Sequence, residues 1–406
     1  MKFSKLGQTV MTAGLSLAMT LGLSACSRDY IAAYVYAPSA SNGTIGAYAV
    51  DYQSGILTQI SGSPFASQLT NPTRAIASPD GKSLYVVGGS QNSQVEAFSI
   101  GTDGKLYGLN TVNLASGATY PAGSAIDSTG KFLYVTYTYQ NGYGPQSLGS
   151  GGVSIFPIDT TTGKLGTPTN LNLTPSVSGS IVNPIGITVT IPVSTTGNNV
   201  YVYITAQQST PTAGITYEYQ MNTTTGALTP LATPTISSGV NPSFVIAEPS
   251  SRYVYVADKT SNQIVGFQLA STGVLSTLSS SPFTTGLYPV SMTIDPRGKY
   301  LYAVNYNANT VSGFTINHID GSLGGIAAVG SFSTSTGPNC VTVDPSVGNY
   351  LYTSNYLDNS ISGAQLRSED GTLTAVANTP FTGVTEPSCI TSVANGSHAD
   401  SYVYPK

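Results

Sequence analysis

The sequence predicts an all-β fold, a seven-bladed β-propeller of four-stranded antiparallel blades, on three recurring landmarks. A proline opens a short strand at Pro72, Pro121, Pro184, Pro242, Pro289, Pro338 and Pro387, at spacings of 49, 63, 58, 47, 49 and 49 residues. An apolar and aromatic strand recurs as Tyr34-Val-Tyr, Leu84-Tyr-Val, Leu133-Tyr-Val, Val200-Tyr-Val, Val254-Tyr-Val, Leu301-Tyr-Ala and Leu351-Tyr-Thr. A glycine turn recurs as Ser54-Gly, Asp103-Gly, Thr162-Gly, Thr225-Gly, Thr272-Gly, Asp320-Gly and Asp370-Gly. Four strands per unit at a period in this range mark a propeller, because one such sheet must bury both faces against its neighbours. A β-sandwich would not need seven near-identical units.

The unit from Pro289 to Gly337 shows each element plainly. Ser291 to Ile294 alternates small and apolar residues and forms strand a. Asp295-Pro-Arg-Gly-Lys299 follows, where Pro presets φ and Gly tolerates a positive φ, so the chain turns back. Tyr300 to Val304 is β-branched and aromatic, a buried strand b. Val311 to Ile316 alternates at period two, a half-buried strand c. Asp320-Gly321 signals the c–d hairpin, and Leu323 to Val329 is expected as strand d.

The ends complement each other. The first unit begins at strand b, and Pro387 to Ser392 is an extra strand a with no unit after it. That strand is expected to complete the first blade and remove an open sheet edge. The propeller is expected over residues 34–406, preceded by a tether at 26–33 and a signal peptide at 1–25.

Lys2 and Lys5 give the signal its positive end, and Val10 to Leu23 its apolar core, too short for a stable span. Leu23-Ser-Ala-Cys26 resembles a bacterial lipobox. The resemblance implies cleavage before Cys26 and lipid on its thiol and new N-terminus, which gives stable anchoring. Ser27 after the cysteine is similar to lipoproteins sent to the outer membrane, so a periplasmic or surface-exposed envelope location is expected.

Charged residues are only 8% of the chain, against about a quarter in typical soluble proteins. Without Lys2 and Lys5, 12 basic residues face 18 acidic ones, a net charge of −6. Few, scattered basic residues exclude a nucleic-acid partner. No signal points to an oligomer, so a monomer is expected, and no motif calls for a cofactor.

Cys340 and Cys389 stand at the same repeat position, two residues after the strand-a proline, in units expected to be neighbours. Inner strands converge near the axis, so a disulfide that staples the ring is expected in an oxidising compartment. The alternative is two small buried residues. Arg74 occupies the same position in unit two, with Gly123, Gly186, Phe244 and Ser291 in the others, and is the only charge at that level.

The largest excursion, Tyr137 to Gly152, lies between strands b and c of unit three, and Gln207 to Gly214 is a second. In a propeller the b–c and d–a loops share one face, and insertions collected there mark the binding face. Tyr120, Tyr137, Tyr139 and Tyr143 are candidates for an aromatic rim, suited to stacking on sugars or packing on a protein. The alternative is that tyrosine simply serves as a strand and loop anchor in a chain with 27 of them. Asp258, Asn305 and Asn355 end strand b in three successive units. Oxygen ligation of calcium there is set against local backbone bonding, and no metal site is assigned.

The repeated Asp295-Pro-Arg-Gly-Lys-Tyr-Leu-Tyr-Ala-Val-Asn305 resembles the lactonase-like seven-bladed propeller family, as do Ser78 to Val86 and Asp344 to Tyr352. That family includes 6-phosphogluconolactonase and carboxymuconate-cyclising enzymes and borders on YVTN-repeat surface proteins. The resemblance implies channel-mouth chemistry with His, Arg and acids, His commonly two residues after the strand-a proline. None of the seven positions here is His, and His318 and His398 lie elsewhere. Of a catalytic set, Arg74 alone is a candidate, while Asp258 and Glu218 are the nearest acids. The expected function is therefore an envelope-anchored binding or scaffold module for a glycan or protein partner. The alternative is a sugar-lactone hydrolase at the channel mouth.

Overall fold

The computed structural model describes residues 31–191, 199–209, 212–326 and 331–396. Cys26, the signal segment and His398 lie outside them.

Seven antiparallel sheets form the seven blades. Their innermost strands are Pro72–Ala77, Thr119–Ile126, Val182–Val189, Pro242–Ala247, Pro289–Ile294, Pro338–Val343 and Thr391–Ala394. The last of these pairs antiparallel with the chain's first strand, Ile31–Ser39, with Tyr34 opposite Val393. The first and last of the described strands thus share blade one, as the sequence predicts. Strand b of that blade already includes Ile31, the first described residue, ahead of the expected boundary at Tyr34.

In blade six strand d is expected from Leu323 to Val329, of which Val329 lies outside the described residues. The described strand runs Leu323–Gly325, then a two-residue strand, Phe332–Ser333, pairs with strand c. Blades one and five split their outer strand in the same way.

Six of the seven strand-b landmarks prove to share one hydrogen bond with the glycine turns. In blade four the expected Val200-Tyr-Val is two residues early, since Tyr201 bonds the Ser271 carbonyl and Tyr203 makes the repeat bond. The strand-b tyrosine of each blade donates to the carbonyl of the turn glycine in the next. Tyr36 reaches Gly104, Tyr85 reaches Gly163, Tyr134 reaches Gly226 and Tyr203 reaches Gly273, at 2.6–3.0 Å. Tyr255 reaches Gly321, Tyr302 reaches Gly371 and Tyr352 closes the ring on Gly55. All seven phenols are buried, so each needs this partner. Gly55 has φ +68, and a Cβ there would stand 2.2 Å from the Tyr350 ring, so both backbone and space demand glycine.

The Asp of the a–b turn is structural as well. Asp295 is buried, and its Oδ1 accepts the Lys299 and Tyr300 amides at 2.7 and 2.8 Å. Asp344 holds the Asn349 and Tyr350 amides in the same way. A carboxylate that accepts turn amides fixes the hairpin feeding strand b. The apolar core lies in seven interblade clusters, such as the one joining Tyr36, Ile45 and Ala47 to Leu84, Val86 and Phe98.

A β-bulge follows Pro72, Pro184, Pro242, Pro289 and Pro338. A bulge leaves one residue unpaired and re-aims its side chain. Ser243 Oγ uses this to donate to Pro289 O at 2.7 Å, and Asn339 Nδ2 to Pro387 O at 3.1 Å. Ser388 Oγ donates to Pro72 O at 2.7 Å, so side chains lace neighbouring inner strands around the axis.

Candidate functional site

One residue deeper than this lacing, the side chains of opposite blades meet. The Arg74 guanidinium carbon lies 5.7 Å from the Phe244 ring centroid, a cation–π contact from blade two to blade five. Its Nη1 lies 3.4 Å from Cys389 Sγ. Cys389 is joined to Cys340 as a disulfide, with Cα atoms 4.9 Å apart at a sequence separation of 49. Ser291 Oγ sits 3.6 Å from Cys340 Sγ. A Cβ on Gly123 would come within 2.5 Å of the Ile185 carbonyl, so the inner strands of blades three and four touch there. Arg74, Phe244 and the disulfide therefore occupy the axis at this level.

Burial lowers the Arg74 pKa to about 10, and its Nε has no hydrogen-bond partner. Among the described residues, Arg74 is the only charged residue in the seven innermost strands.

The other candidate acids serve the fold. Glu218 is buried in strand c of blade four, where its Oε2 accepts the Leu275 amide of blade five at 3.0 Å. Asp258 is buried and accepts the Val240 and Asn241 amides at 2.8 and 3.1 Å. Asn355 Nδ2 donates to Ser360 and Ser362, and Asn305 Nδ2 to Thr310 and Ser312. Against the expected alternatives of calcium and local backbone bonding, the two asparagines bond strand-c hydroxyls, and Asp258 holds amides of the d–a connection entering its blade. No group of three or more His, Cys, Asp and Glu is placed to hold a metal among the described residues. The carbonyl of His318 accepts from Arg252 on the a–b and c–d face, away from the insertions.

The four tyrosines of the expected rim separate. Tyr137 is fully buried, and its hydroxyl bonds Asn170 Oδ1 at 2.5 Å and Gln140 Oε1 at 3.0 Å. It does not belong to a rim, because strand b continues to Tyr139 and is covered by neighbouring blades on both faces. Tyr120 and Tyr139 are half-buried and stack edge to face, with centroids 5.5 Å apart. Tyr143 is exposed on the insertion.

Tyr120 lies where the d–a connection enters blade three, with φ +59, an uncommon conformation for a bulky residue. The Ser90 carbonyl accepts its amide at 2.8 Å. Two adjoining depressions meet beside it and share Gln91 and Thr119, with volumes of about 1120 and 400 Å³. Together they form a cleft between blades two and three on the loop face.

Sequence reasoning missed a second feature of this face, on blades five to seven. Tyr288, immediately before its strand-a proline, has φ +62 and packs against Tyr306 at 6.4 Å, with Lys259 Nζ 5.7 Å from its ring. Tyr356 follows strand b of blade seven, and burial first and the Glu386 carboxylate next raise its pKa. The signal was present in the repeat register: these residues flank the strand-a proline or the end of strand b.

Comparison with known proteins places this architecture. The family model described as lactonase, 7-bladed beta-propeller, matches residues 30–180 and 201–345, more than half of the chain. The chain belongs to this lactonase family. Among solved structures, the family member is similar to a putative 6-phosphogluconolactonase from Bacteroides fragilis at 19% identity and TM-score 0.69, covering 91% of this chain and 99% of that one. It is also similar to the periplasmic gluconolactonase of Pseudomonas aeruginosa at 16% identity and TM-score 0.71, covering 89% and 99%. At such identities the likeness to these two is one of fold. No curated protein matches the chain significantly in sequence.

Proposed function

We propose that this lactonase-family propeller is a binding module held at the cell envelope, taking a glycan or protein partner on its loop face. The observation that carries the reading is the channel wall. Opening a lactone needs a proton carrier near the ring oxygen and a stabiliser for developing negative charge. The inner strands supply Arg74 alone, and it lies against Phe244 and Cys389. The loop face, by contrast, carries an exposed tyrosine and a large uncharged cleft. Hydrolysis of a panel of sugar lactones by residues 27–406 tests the reading, and no turnover that depends on Arg74 is expected.

Sugar-lactone hydrolysis at the channel mouth is the second reading. Family membership favours it, as does the unpaired Nε–H of Arg74, a donor without an acceptor. Anchoring rests on the lipobox around Cys26. Expression with export should place the protein in the detergent phase on detergent partitioning, and Cys26→Ser should move it to the aqueous phase. An unchanged distribution would refute the anchor.

A further inference from the structure

We propose that the cleft between blades two and three is the ligand site of the binding function, and that it takes a neutral, hydroxyl-rich glycan chain. This inference rests on the binding reading and adds the site and the ligand class. Four segments build the cleft: the b–c loop of blade two, the end of its strand d with the d–a connection into blade three, the b–c insertion of blade three, and Thr167 and Pro168 ahead of strand d of blade three. None of the residues lining either depression is charged. In the larger depression amides and hydroxyls alternate with apolar residues such as Val112, Leu114 and Pro168, and the tyrosines, Tyr120 and Tyr143, stand in the smaller one. A cleft of this composition has little to offer a phosphate, a carboxylate or a basic peptide. It suits vicinal hydroxyls, each of which both donates and accepts, as a carboxamide does.

The amides are set in place. Gln94 Nε2 donates to Asn113 Oδ1 at 2.7 Å across neighbouring strands. That bond uses one end of each amide and leaves the Gln94 carbonyl oxygen and the Asn113 amino group for a hydroxyl pair. Gln91 stands where the two depressions join. Tyr143 is exposed and Tyr120 half-exposed on the insertion side, where flat rings pack on the apolar face of a sugar. The larger depression, about 1120 Å³, already exceeds an ordinary small-ligand pocket of about 300–1,000 Å³, and it opens into a second. An extended chain of sugars fills such a groove better than one ring.

The test is affinity electrophoresis of residues 27–406 through gels cast with soluble neutral polysaccharides (a β-glucan, a xylan, a galactomannan and a glycol chitin). Retardation by at least one is expected. Tyr143→Ala and Asn113→Ala should each weaken it by about tenfold, the worth of one stacked ring or one lost hydrogen-bond set. Arg74→Ala should leave it unchanged. Both cleft positions are exposed, and unchanged unfolding midpoints would verify intact folds. Retardation lost in Arg74→Ala and kept in the cleft variants would place the ligand in the channel, overturning this inference while sparing the binding reading. No retardation in any gel would overturn the inference, whereas Arg74-dependent lactone turnover would overturn the binding reading itself.

Discussion

Tyr352 donates its phenol hydrogen to the carbonyl oxygen of Gly55 at 2.7 Å, across 297 residues of sequence. The bond joins blade seven to blade one, and it repeats the geometry of the six bonds between sequential blades. Ring closure here is thus one more copy of the interblade contact, with the shared sheet of blade one beneath it.

Tyr352→Phe should destabilise the protein, because the Gly55 carbonyl loses its partner in a buried place. A loss of about 1–3 kcal/mol is expected in urea unfolding, and Tyr134→Phe, at an ordinary interface, should cost a similar amount. A far larger loss for Tyr352 would mean that closure depends on this bond beyond its share.

The Cys340–Cys389 bond ties blade seven to the strand that completes blade one. The loop it closes is worth about 4 kcal/mol in the chain-entropy account. Cys340→Ser with Cys389→Ser should lower the urea midpoint, and residues 27–406, denatured without reductant, should show no free thiol. Two reactive thiols in that assay would contradict the bond.

Glu218 gives the fold a pH dependence. Burial raises its pKa to about 7, while the Leu275 amide pulls the other way. A carboxyl with a raised folded pKa binds its proton more tightly when folded. Its contribution is fully present below the unfolded value of about 4.3 and is lost as pH rises through about 7. Glu218→Gln should therefore stabilise the protein at pH 8 by roughly 1–3 kcal/mol, with the advantage shrinking at pH 5. Parallel stability profiles for the two proteins would rule this out.

The fold was legible because its signals are local and repeated. A proline, a Tyr-containing strand and a glycine turn recur in register, and the tyrosine and the glycine bond each blade to the next. The Cys340–Cys389 pairing was legible for the same reason, since equal repeat positions in adjacent blades converge at the axis. The candidate site was less so. Tyr137 read as a loop residue, but both faces of a strand b are covered by neighbouring blades, so alternation cannot tell rim from core there. The cleft draws Gln91, Asn113 and Tyr143 from three segments that only the ring brings together. Arg74 was correctly placed at the axis, but nothing in the sequence set it against Phe244.

On the proposed reading, this lactonase-family propeller binds a ligand and does not hydrolyse sugar lactones. Titrating acid release from glucono-1,5-lactone and its 6-phospho form by residues 27–406, beside Arg74→Ala, tests it most directly. The account predicts that both proteins release acid no faster than buffer alone. Catalysed release that falls to the buffer rate in Arg74→Ala would contradict it and make the channel an active site.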